Sequence, residues 1–210
     1  MQKAFSMNQT IKNLLLVCTI VPILAGCIAP RTPAYQNSSF DTSAVDEITV
    51  LSVIDARDDK TRKPDLYKKL NKIIPVRVKI HMGRKGYKVR QLLDPALTAG
   101  ITRGAVEKAD PNWIKSIGPS DARWVMVWSV NQLSHKAFDF DSVGFGASGK
   151  SGMAAVLFDK ATGTIAWRDE ITEEVKAGIL FSPVSGLLEN DALTGGILTL
   201  VAGFPKKGKK

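Results

Sequence analysis

The chain is poor in the residues that usually announce chemistry. Its 210 residues contain two cysteines and two histidines. His81 and His135 stand 54 positions apart with no companion ligand at metal-site spacing, so no metal centre is signalled. A nucleophile elbow of the form G-x-S-x-G is absent. No apolar run reaches the ~20 residues that a membrane-spanning helix requires. The longest stretch of this kind, Leu14–Gly26 (LLLVCTIVPILAG), is too short and lies near the N-terminus.

The first 26 residues also lack any acidic side chain. Lys3 and Lys12 precede the apolar run, and the run ends in Leu24-Ala25-Gly26-Cys27. A basic start, a short apolar core and small residues in that order are the marks of an export signal. The four-residue end resembles the lipobox of bacterial lipoproteins, in which the cysteine receives a diacylglycerol, the chain is cut before it and the new amino group is acylated. The expectation is therefore a signal peptide over residues 1–26 and lipid attachment at Cys27, whose several acyl chains anchor firmly where one would be marginal. Ile28 rather than Asp follows the cysteine, which by the sorting rule of that class places the protein at the periplasmic face of the outer membrane.

Removal of the signal peptide takes Cys18 with it and leaves Cys27 acylated, so no thiol remains for a disulfide, a nucleophile or a zinc cluster. Loss of Lys3 and Lys12 lowers the formal charge from +9 to +7, and Lys206, Lys207, Lys209 and Lys210 carry four of those seven. The body is only mildly basic, so the overall charge overstates its pull on nucleic acid, which would need a basic face with interleaved aromatics, and no nucleic-acid partner is expected. Residues 206–210 read as a basic tail, either solvated or drawn to anionic headgroups and wall polymer.

Residues 27–47, rich in Pro, Ser, Thr and Asn, read as a lipidated tether. Residues 48–205 are the size of one domain. ITVLSVIDARDD is a β-branched run closed by charge, a strand. Leu66, Leu70, Ile73 or Ile74, Val78 and Met82 trace a helical face, which Pro75 should kink or interrupt; a strand from Pro75 is the alternative. KGYKV reads as a turn and short strand. The segment 94–108 is weakly helical, and DPNWIKSIG predicts a second short helix capped by Asp110 with Pro111 at its first position. ARWVMVWSVNQL is a strand, and GMAAVLF, DKATG and TIAWRDEI form a hairpin. A last helix covers about 184–204 and stops at Pro205. The expected class is α+β in a single domain: a mixed β-sheet covered by helices, in the order β-α-β-α-β-β-β-α.

Gly144 to Gly152, GFGASGKSG, contains both G-x-x-x-x-G-K-S and G-x-G-x-x-G. Either phosphate-binding motif needs a helix to start where the glycines end. Only about eight apolar residues follow Lys150 before the turn at Asp159, a strand's length, so a glycine-rich hairpin tip is expected and no nucleotide or other cofactor. Asp55 to Asp59, DARDD, clusters carboxylates around Arg57 at a strand end and reads either as a ligand site or as a loop whose Asp residues bond the backbone. About twenty residues separate the strands WVMVWSV and GMAAVLF, far more than a hairpin needs. They carry Phe138, Phe140 and Phe145, and AFDFD alternates apolar and acidic residues, so the flanking strands are expected to extend past the sheet as a two-stranded arm that docks a partner or, equally, the phenylalanines fold back onto the core.

VLSVIDAR after a lipobox and tether, GRKGYKV, DARWVMVWSV, VLFDKATGTIAW and a final helix ending GFP together resemble small proteobacterial envelope lipoproteins that share the fold of the TolB N-terminal domain and of the curli-secretion lipoprotein CsgG. The resemblance implies a non-catalytic binding or assembly component of an envelope secretion, transport or cell-wall complex. It also implies protein partners in the envelope or copies of itself. The long amphipathic hairpin pair of a pore is missing. A cell-wall glycan-binding module or hydrolase is the alternative.

Overall fold

The computed structural model describes the backbone of residues 32–57, 64–98, 100–141, 144–178 and 185–209, which lie in one compact unit. The seven strands are β1 (Tyr35–Gln36), β2 (Glu47–Leu51), β3 (Ile54–Asp55), β4 (Lys88–Leu92), β5 (Trp124–Asp141), β6 (Gly144–Asp159) and β7 (Thr164–Gly178). Four helices are described: α1 (Pro64–Arg84), α2 (Arg103–Lys108), α3 (Pro111–Ser116) and α4 (Ser185–Gly203).

The strands form one open sheet in the order β1-β7-β6-β5-β2-β4, with β3 pairing β5 beyond the end of β2. β2 runs parallel to β4 and β5, whereas β5, β6 and β7 are antiparallel and β1 closes the far edge antiparallel to β7. The sheet is mixed and its faces are covered by helices, as the pattern of apolar runs predicts. Alternation along β5 explains the two cores. Trp124, Met126, Trp128 and Val130 pack with Leu70, Ile74, Val78 and Met82 of α1 and Leu193, Ile197 and Leu200 of α4. Val125 and Val127 point the other way, with Val156 and Phe158, onto Ile114 of α3 and Val106 of α2. A strand buried on both faces reads as a continuous hydrophobic run, which is what WVMVW is.

Several local readings hold. Asp110 Oδ1 accepts the N–H groups of Asn112 and Trp113, with Pro111 at the start of α3. Gly86 at φ +95° makes the turn into β4. α1 continues through Pro75 rather than breaking there. The loss of a helical bond costs about 3 kcal/mol, and the four fully buried side chains at 70, 74, 78 and 82 offset it at roughly 1.5–3 kcal/mol each. The weakly helical stretch 94–108 yields only a short turn at Pro95–Leu97 and the six residues of α2.

Three expectations change. Gly144–Gly152 is not a hairpin tip but lies within β6: Lys150 pairs with Ser134 on one side and Glu174 on the other. The twenty-residue connection is the expected continuation of β5 and β6 past the sheet, but β7 joins them as far as the pair Gly146–Gly178, so the extension is three-stranded rather than two-stranded. Glycine is weak in strands, but here it answers a packing demand. A Cβ on Gly149 would stand 2.4 Å from the backbone carbonyl of Leu188, so α4 crosses β6 only because no side chain intervenes.

The third change is at the N-terminus. The stretch read as tether is tied down from residue 34 onward, because the Ala34 N–H donates to Asp169 Oδ1 at 3.2 Å and β1 pairs with β7. The basic tail is also held: Lys207 N–H donates to the Lys85 carbonyl and Gly208 N–H to Thr42 Oγ1.

Candidate functional site

None of the residues singled out in the sequence forms a described site. Cys27 lies outside the described residues. Phe138 and Phe140 fall in β5 and Phe145 in β6, with Phe140 opposite Phe145, but their side chains lie outside the described residues. Asp55 and Arg57 are paired, Arg57 Nε and Nη2 donating to the two carboxylate oxygens at 2.7 and 2.6 Å, while Asp58 and Asp59 lie outside the described residues. No group of histidine, cysteine and carboxylate side chains that could hold a metal occurs among the described residues.

The structure instead assembles a pocket of about 470 Å³ at the end of the sheet where β5 begins and the β6–β7 hairpin turns. Its first wall is the strap 37–44. Asn37 Oδ1 accepts the N–H and the hydroxyl of Ser39 at 3.0 and 2.8 Å, and Asp41 caps the following turn by accepting from Ser43. Asn37 N–H donates to the Ala166 carbonyl, which fastens the strap to β7. These turns carry Phe40 inward against Trp124, ring centroids 5.7 Å apart, and against Phe204 at 6.1 Å. Trp167 and Tyr87 also meet Phe204, at 4.9 and 5.3 Å. The floor is therefore the rim of an aromatic cluster.

The opposite wall is the hairpin. Gly163 at φ +70° completes the turn, and its N–H donates to the Asp159 carbonyl at 2.8 Å. The Thr162 and Thr164 hydroxyls lie 2.8 Å apart at the pocket edge. Between the walls, Arg123 Nε and Nη2 donate to Asp159 Oδ1 and Oδ2, each at 3.0 Å, and the guanidinium lies 4.7 Å from the centre of the Trp124 ring. Asp159 is 8% exposed and Arg123 47%. Burial raises the Asp159 pKa, but the hydrogen bonds from Arg123 and the Ala161 N–H and the Arg123 charge outweigh it, leaving the carboxyl below its ordinary value. The pair occupies two of the five guanidinium donors. The indole N–H of Trp124 is buried and has no acceptor among the described residues.

The arrangement can recognise a ligand that is both hydroxylated and apolar. It offers planar carboxylate, amide and guanidinium groups at fixed angles, three hydroxyls from Ser39, Thr162 and Thr164, and aromatic carbon beneath. Its volume falls in the range of small-molecule sites, about 300–1,000 Å³. Nothing local in the sequence reports it, because its walls come from residues 37–44, 123–124 and 159–166. The only trace is that Ser, Asp and Thr recur beside Phe40, Trp124 and the DKATG turn.

No family model and no curated protein matches the chain. Among solved structures it is similar to the PelC dodecamer from Paraburkholderia phytofirmans, at 16% identity over 84% of this chain and 96% of that one, with a TM-score of 0.45. It is also similar to a lipoprotein from Neisseria meningitidis, at 14% identity over 75% and 98% with a TM-score of 0.43. A third is a neuraminyllactose-binding hemagglutinin homologue from Helicobacter pylori, at 13% over 86% and 90% with a TM-score of 0.48. These are bacterial proteins with a lipoprotein among them. At TM-scores below 0.5 they pass neither a function nor a site to this chain, and the narrower likeness to TolB and CsgG stays an expectation.

Proposed function

We propose that this domain is a non-catalytic glycan-binding module of the bacterial envelope, with the pocket between strap and hairpin as its saccharide site. The observation that carries the reading is the Arg123–Asp159 pair laid over Trp124 and flanked by three hydroxyls. Sugar hydroxyls both donate and accept, and fixed planar partners of each kind match them. The reading agrees with the name of the Helicobacter structure but does not rest on it.

Binding fits this pocket better than hydrolysis. Glycoside cleavage uses two carboxyls, one of which must hold a proton near neutral pH and so needs a raised pKa. Asp159 is shifted the other way, and Asp41 is engaged by Ser43 as the cap of its own turn. Both are suited to accept hydrogen bonds. Membrane attachment in this reading comes through Cys27; among the described residues no helix is long and apolar enough to cross a bilayer.

The test is calorimetric titration with soluble peptidoglycan fragments and, separately, neutral oligosaccharides. Saturable binding is expected, weakened about tenfold or more by Thr164→Val and by Arg123→Lys, which keeps the charge but loses the two-pronged geometry. Absence of binding to every saccharide, or binding indifferent to both substitutions, would remove the proposal.

A further inference from the structure

The outward side of α1 is built unlike the rest of the surface. Its buried stripe, Leu70, Ile74, Val78 and Met82, is spent on the core. A second stripe follows Val76 and Ile80, which are 47% and 49% exposed and are the two helical positions among the exposed large hydrophobics of the described residues. They line a groove of about 690 Å³ against α4, where Asn190 and Thr194 form the far wall. Lys72, Arg77 and Arg84 flank the apolar strip, and no acidic side chain lines the groove. The bias extends beyond it: from residue 68 to residue 85 the sequence has seven lysines and arginines and no acid. Burial, Arg84 and Arg77 lower the pKa of His81, which therefore adds no charge near neutral pH.

Short aliphatics framed by cations on one helix face are the composition of an interfacial surface helix, whose apolar stripe enters the headgroup boundary while long basic side chains reach the phosphates. The length of the leash adds a second argument. Ala34 is fixed to the sheet by the fully buried Asp169. Seven residue steps separate it from Cys27, which span at most about 25 Å when fully extended. A domain of this size is roughly 40 Å across, from a radius of gyration of about 15 Å. If Cys27 carries the anchor, Ala34 stays within about 25 Å of the bilayer, less than the width of the domain, so the domain is held near the lipid.

We infer that the α1 face rests on anionic phospholipid, with Val76 and Ile80 in the interface and Lys72, Arg77 and Arg84 on headgroup phosphates. This goes beyond the saccharide reading and rests on the expected acylation of Cys27 only for the leash. Mass spectrometry of the mature chain reports that acylation separately.

The test places a polarity-sensitive fluorophore on Ile80→Cys or, as a control on the opposite face of the sheet, on Asn112→Cys. The acylated chain is reconstituted on vesicles of phosphatidylethanolamine with phosphatidylglycerol, or of phosphatidylcholine alone. The label at 80 should shift to the blue and be quenched by brominated lipid on the anionic vesicles, with neither effect at 112. Lys72→Glu/Arg77→Glu/Arg84→Glu should abolish the shift. Unacylated Cys27→Ser protein should still sediment with the anionic vesicles about tenfold or more better than with phosphatidylcholine. A label at 80 equally wet on both vesicles, or a blue shift that needs only more protein and no lipid, overturns the inference; the second result would assign the face to another copy of the chain.

Discussion

At the scale of single residues, close approach and charge pairing decide what each position can be. Gly149 is where α4 meets β6, so Gly149→Ala should lower stability by about 1–3 kcal/mol or more, since the added carbon meets backbone that cannot swing aside. Lys150→Ala, one residue on, should leave the denaturation midpoint within about 0.5 kcal/mol, and no ATP binding should be measurable in either protein. Saturable nucleotide binding lost in Lys150→Ala would restore the phosphate-loop reading. Asp159 supplies a pH signature. Its pKa in the folded state is depressed, so its contribution to stability is complete above the unfolded value, about 3.9, and is lost as pH falls through the lower folded value. The melting temperature of the parent should drop more steeply below about pH 4 than that of Asp159→Asn. At neutral pH that variant should be less stable by about 1–3 kcal/mol, short of a fully buried pair because Arg123 is half exposed.

At the scale of elements, the contact between α4 and β6 shows what the sequence could and could not disclose. The DKATG hairpin, the Asp110-Pro111 cap and the α1 stripe were legible because each is encoded within a few residues. The glycine-rich half of β6 was not: glycine lacks the side chain on which strand recognition depends, and the reason for it is a helix forty residues away. The same holds for the strap, whose Asn, Ser and Asp read as tether until their bonds to one another and to β7 are seen, and for the pocket, drawn from three distant segments. α4 offers a direct check of this account. A Cβ on Gly196 would come 2.1 Å from Met153 Cε, the end of a flexible side chain, whereas Gly149 faces backbone. Gly196→Ala also gains up to about 1 kcal/mol of helix propensity. Its net change in unfolding free energy should stay within about 1 kcal/mol, well below that of Gly149→Ala. Ser151, fully buried, binds the two elements through a 2.8 Å bond to the Ala192 carbonyl. Ser151→Ala should cost about 1 kcal/mol.

At the scale of the whole molecule, two surfaces differ in chemistry. One end, between strap and hairpin, gathers hydroxyls, a salt-bridged carboxylate and aromatic carbon; the groove between α1 and α4 is lined by cations and aliphatics without acids. The account we propose is a module held near the bilayer through Cys27, with a saccharide pocket at the end of its sheet. Its central claim is the pocket, and the indole N–H of Trp124 reports on it directly. In a nitrogen–proton correlation spectrum of the labelled protein, four tryptophans, Trp113, Trp124, Trp128 and Trp167, give four indole signals. Titration with soluble peptidoglycan fragments should move the Trp124 signal, assigned through Trp124→Phe, in a saturable manner while Trp113 on the opposite core stays in place. A titration that leaves Trp124 unmoved while the fragments bind elsewhere, or that moves no indole at all, would contradict the account.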